Sequence, residues 1–125
     1  MNRLFLALGA ISALVSVAAG AFGAHALRSR IAPELLVTFE TGARYQMYHA
    51  LGLIAVAWAA SRWPSSATTA AGWLFALGTL LFSGSLYALA LSGVRALGAV
   101  TPFGGLAFLA GWALLAWAAI RGQGQ

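Results

Sequence analysis

Four long, nearly charge-free apolar stretches, residues 4–27, 45–63, 70–91 and 103–120, take up most of this 125-residue chain. Each approaches the ~20 residues that a helix rising ~1.5 Å per residue needs to cross a ~30 Å hydrocarbon layer. Charged residues make up only 7% of the chain, too few to clothe a soluble domain, so lipid must solvate most of the exterior. The expected fold is all-α: an integral membrane four-helix antiparallel bundle forming a single domain over residues 1–125. A short interfacial helix, residues 33–44, is expected to lead into the second span.

The formal net charge of +5 comes from seven arginines, with no lysine. They stand singly at the ends of apolar segments, which argues against nucleic acid as a partner and for arginines that snorkel to lipid phosphates. The absence of cysteine excludes a disulfide framework, a thiolate metal site and a thiol nucleophile. Arg3 ahead of an apolar run, with Ala-x-Ala patterns near Ala19 and Ala24, resembles a signal peptide. The run outlasts a usual h-region, however, so it is expected to remain as the first span. Arg3, Arg62 and Arg121 fall on one side of the membrane, and Arg28, Arg30 and Arg95 with Arg44 on the other, a near tie that leaves orientation open.

Connections are short, so successive helices are antiparallel neighbours. Pro33 suits the first turn of the second helix, Thr101 is placed to cap the fourth, and Pro102 is placed at its first position. Ala57-Trp58-Ala59-Ala60-Ser61-Arg62 and Ala116-Trp117-Ala118-Ala119-Ile120-Arg121 close the second and fourth spans with nearly the same text, a match that alanine-rich sequence also produces by chance. Lipid gives helices no hydrophobic reason to associate, so packing falls to small residues. Gly9, Ala13, Ser16, Gly20 and Gly23 share one face of the first span; Gly72, Ala76, Thr79, Ser83 and Ala90 share one of the third; Ala107 and Gly111 mark the fourth. Together they predict a tightly closed bundle. Trp63, Trp73, Trp112 and Trp117 read as interfacial anchors.

Alternation of four spans gathers most polar chemistry on one side. Along the second helix a polar stripe runs from Glu34 through Tyr45 and Tyr48 to His49, with Glu40 and Arg44 spaced four apart at its edge, a spacing suited to an ion pair. A polar stripe entering the bilayer has to face protein or water, and an intramembrane ionisable group is a functional hypothesis by default. The candidate ligand-binding residues are Glu40, Arg44, Tyr45, Tyr48, His49, Ser83, Tyr87 and Thr101. The bland reading of the same residues is ion pairing, anchoring and helix contact. No HExxH or comparable spacing offers a metal site, Ser83 lacks a nucleophile elbow and an acid to orient a base, and Phe103-Gly104-Gly105 lacks a phosphate-binding fingerprint. No catalytic residue, metal or cofactor is expected, and the chain reads as something other than an enzyme.

Gly20-Ala21-Phe22-Gly23-Ala24-His25-Ala26-Leu27, Phe39-Glu40-Thr41-Gly42-Ala43-Arg44-Tyr45-Gln46-Met47-Tyr48-His49-Ala50-Leu51, Leu81-Phe82-Ser83-Gly84-Ser85-Leu86-Tyr87 and Leu97-Gly98-Ala99-Val100-Thr101-Pro102-Phe103-Gly104-Gly105 resemble a known pattern. It is that of the small bacterial membrane proteins classed as domain of unknown function 423, related to the eukaryotic transmembrane protein 256 family. The resemblance covers nearly the whole chain and implies a multi-pass protein of the bacterial inner (plasma) membrane. It implies no reaction, substrate or cofactor.

The functional expectation is a one-sided polar cleft that binds an anionic lipid headgroup or small polar ligand, with Arg44 supplying charge, His49 and Tyr45 hydrogen bonds, and Ser83, Tyr87 and Thr101 the wall. The alternatives are a small transporter or proton-coupled channel, and a structural or assembly subunit. Expected partners are membrane lipid, a second copy or another membrane protein, with no nucleic acid.

Overall fold

The computed structural model describes residues 2–122, which form four helices. They are α1 (Asn2–Phe22), α2 (Pro33–Arg62), α3 (Ser66–Ser92) and α4 (Thr101–Gly122), with a π turn at Gly23–Leu27 and a 3-10 turn at Arg95–Ala99. The boundaries follow local chemistry. Pro33 occupies the first turn of α2, where its missing N–H costs nothing. Ser65 caps α3 by accepting the Thr68 N–H at 3.2 Å, and Gly93 ends it at φ 73°, in the left-handed region that glycine enters freely. Thr101 departs from expectation: its hydroxyl lies 2.6 Å from Ser85 Oγ on α3 and is engaged there.

By length and composition Arg3–Leu27, Ser66–Ser92 and Arg95–Gly122 are suited to cross a membrane. The polar run Tyr45–His49 makes α2 less apolar, yet α2 packs along α1 on one side and α3 on the other. It therefore spans the same depth as its neighbours, with protein in place of lipid around Gln46 and His49, which are buried. Residues 33–44 belong to the same unbroken helix, and Phe39, Gly42 and Ala43 among them are buried in the bundle.

Packing follows chain order: α1 on α2, α2 on α3, α3 on α4, with α4 meeting α2 only narrowly. The expected tightly closed bundle is thus opened on the α2–α4 side. Small residues set the close approaches. A Cβ on Gly9 would sit 2.7 Å from the Ala50 carbonyl oxygen, and one on Gly104 would sit 2.8 Å from Phe82 Cα. The main core is built from Phe5, Leu53, Val56, Ala71, Phe75 and Phe108, and a smaller one near the π turn from Leu27, Phe39 and Ala90.

Candidate functional site

Helices in lipid can recover side-chain polarity only through one another, and here they do so systematically. Ser16 on α1 donates to the Ala43 carbonyl at 2.6 Å, and Ser83 on α3 donates to the neighbouring Gly42 carbonyl at 2.7 Å, so α2 is held from both flanks. Gln46, buried, extends this tie: its amide nitrogen donates to Ser12 Oγ at 3.2 Å, and its oxygen accepts the Tyr87 hydroxyl at 2.6 Å. One side chain thereby joins three helices. Among the described residues no buried side-chain nitrogen or oxygen lacks a partner.

His49 is committed in the same way. Its Nδ1 lies 2.8 Å from the Tyr45 carbonyl oxygen, and Trp112 Nε1–H donates to its Nε2 at 3.0 Å. A carbonyl only accepts and an indole N–H only donates, so Nδ1 bears the proton and the ring is neutral. The imidazole lies flat on Phe108, with centroids 3.4 Å apart and planes 5° from parallel, and meets Phe75 edge-on. The pair sits deep: Trp112 is eleven residues beyond the start of α4 at Thr101, or ~16 Å at ~1.5 Å per residue.

Where α4 diverges from α2, a groove of about 760 Å³ opens laterally. Tyr45, Tyr48, His49, Phe82, Phe108 and Trp112 furnish its aromatic floor and walls, and Pro102, Gly105, Leu106 and Leu109 its α4 edge. Tyr45 packs against Phe82 and meets Tyr48 edge-on, which fixes the upper wall. A Cβ on Gly105 would find only Phe82 Cδ2, at 4.0 Å.

The eight candidate residues therefore do not share one cleft. Tyr45, Tyr48 and His49 line the α2–α4 groove. Glu40 and Arg44, both exposed, line a separate recess of about 260 Å³ against Ser16 and Gly20 of α1. Ser83, Tyr87 and Thr101 are engaged in helix-to-helix hydrogen bonds. The expected meeting of Arg44 with His49 fails because five residues at ~100° each turn Arg44 ~140° away, toward α1. Tyr48 is half exposed, facing the groove mouth.

Two contributors escaped sequence reading. Trp112 reads as an interfacial anchor but is a mid-helix hydrogen-bond donor to His49; its position halfway along an apolar run was the available signal. Gln46, within the polar run but outside the candidate set, is the three-helix tie. His25 is exposed in the π turn. No cluster of three or more His, Asp or Glu side chains able to hold a metal occurs among the described residues.

The family described as protein of unknown function (DUF423) matches residues 19–105. The chain is 47% identical over 120 residues to the UPF0382 membrane protein YwdK of Bacillus subtilis, covering 95% of this chain and 98% of that one. It is 49% identical over 113 residues to the UPF0382 membrane protein SH2409 of Staphylococcus haemolyticus, covering 90% and 92%. To the UPF0382 inner membrane protein YgdD of Escherichia coli it is 46% identical over 120 residues, covering 96% and 92%. No solved structure matches the chain.

Proposed function

The chain belongs to the DUF423 family and is a multi-pass protein of the bacterial inner membrane, and from that premise we propose that it binds a membrane lipid by seating one acyl chain in the α2–α4 groove. The carrying observation is the extent of that groove. From Pro102 at the start of α4 to Trp112 at its inner end it runs ten residues, ~15 Å at ~1.5 Å per residue, which is one leaflet of a ~30 Å hydrocarbon core. The His49–Trp112 pair closes it at mid-membrane depth.

The lining supports an apolar occupant. His49 has both ring nitrogens committed and is stacked on Phe108, while Phe82, Phe108, Leu106 and Leu109 line the groove with hydrocarbon. Dispersion contacts with a chain held against a fixed aromatic wall replace those with mobile neighbouring lipids. Tyr45, one turn of α2 before His49, and Tyr48, next to it, give the inner part of the groove an aromatic α2 wall. The expected polar cleft for a charged headgroup gives way to this reading because His49, Ser83, Tyr87 and Thr101 are occupied in joining helices, while Glu40 and Arg44 lie apart from them in the recess against α1. The role is binding, without a chemical step.

A phospholipid carrying a photoreactive diazirine midway along one acyl chain tests it, with full-length protein in nanodiscs. The proposal expects adducts concentrated on Leu106, Leu109 and Tyr48 over the outward α1 residues Leu14 and Val17. Even labelling of both faces overturns it.

A further inference from the structure

The far end of the bundle, where α1 and α3 begin and α2 and α4 end, carries Arg3, Arg62 and Arg121. Both acids of the chain, Glu34 and Glu40, lie in the opening turns of α2 at the opposite end. The two similar fragments found in the sequence build the same device here. In each, the arginine folds back over the tryptophan four residues earlier, with Arg62 Cζ 5.9 Å from the Trp58 ring centroid and Arg121 Cζ 5.5 Å from that of Trp117. A guanidinium held by its face on an indole keeps its edge N–H groups for an anion.

Their surroundings differ. Arg121 lines a cavity of about 320 Å³ with Trp63, Ser65, Ser66 and Trp117. Arg62 does not line this cavity, although it belongs to the matching fragment. The Ser65 hydroxyl is taken up in capping α3, and Arg121 is the charged group among the described residues that line the cavity. Its place at the helix ends is the depth at which indoles and lipid phosphates meet.

We propose that this cavity binds a phosphate-bearing anion, the Arg121 guanidinium donating from its edge while Trp63 and Trp117 flank the group. The phosphate belongs either to a phospholipid headgroup or to soluble phosphate. The site is separate from the α2–α4 groove.

The test is native mass spectrometry of full-length protein in detergent with added phosphatidylglycerol, repeated with excess inorganic phosphate. Arg121→Gln should reduce the retained lipid about fivefold, as for loss of one charge-assisted contact, while Arg62→Gln leaves it unchanged. Ser66→Trp, at an exposed position, keeps the charge, fills the cavity, and should reduce retention similarly. Displacement by inorganic phosphate supports a site that soluble phosphate shares. Failure to displace, with the variants behaving as stated, supports a site that requires the lipid. Equal losses in Arg121→Gln and Arg62→Gln would show a diffuse effect of surface charge and overturn the proposal, as would full retention in Ser66→Trp.

Discussion

Trp112 and His49, sixty-three positions apart, share a hydrogen bond of 3.0 Å at the depth where an unpartnered polar group is most costly. The bond joins α4 to α2 at their narrow contact, fixes the imidazole tautomer and closes the inner end of the lateral groove.

Trp112→Phe keeps an aromatic side chain, smaller than the indole, and deletes the donor. It should destabilise the protein by about 1 kcal/mol, within the range of hydrogen bonds between membrane helices. Nitrogen-15 NMR of His49 should report a protonated Nδ1 and an accepting Nε2 in the parent, and in Trp112→Phe an Nε2 shifted toward an unbonded value. A parent spectrum with the proton on Nε2 would contradict the assigned geometry.

Gln46→Leu removes both bonds that link Ser12 and Tyr87 through α2. The expected cost is about 1–2 kcal/mol in a reversible unfolding titration in mixed micelles. Thr38→Ala, which loses only a bond to the carbonyl of its own helix at Glu34, should stay within about 0.5 kcal/mol of the parent.

Glycines divide by what surrounds them. A Cβ on Gly104 would sit 2.8 Å from Phe82 Cα, backbone that cannot rotate away, whereas one on Gly84 meets nothing within 4 Å. Gly104→Ala should therefore cost about 1–3 kcal/mol through overpacking of α3 on α4. Gly84→Ala should be neutral or slightly stabilising, since alanine is the better helix former. Thermal melts of the two variants separate them.

The helices, their order and the small-residue faces were legible because lipid solvation imposes length and composition on every span. The α1 stripe does meet α2: Gly9 lies against Ala50 and Ser16 against Ala43. The candidate site was less legible. Periodicity places Arg44 and His49 on different faces of α2, but which neighbour each face meets depends on how four helices assort. That order put α1 beside Arg44 and α4 beside His49. Trp112 illustrates a second limit, since the preference of indoles for interfaces is statistical and yields where a buried acceptor lies within reach. Thr101 is the third: a hydroxyl placed to cap α4 finds Ser85 on α3 instead, a pairing that depends on the separation of the two helices.

The most direct test of lipid seating is to fill the groove without disturbing the bundle. Gly105 borders it and has room for a side chain, with only Phe82 Cδ2 at 4.0 Å from an added Cβ; Gly84, with nothing within 4 Å, serves as the matched control. Retained phospholipid in Gly105→Phe and Gly84→Phe, quantified by native mass spectrometry, should fall about fivefold in the first, a loss on the order of 1 kcal/mol of binding, and not in the second. Equal retention in the two folded variants would contradict the account.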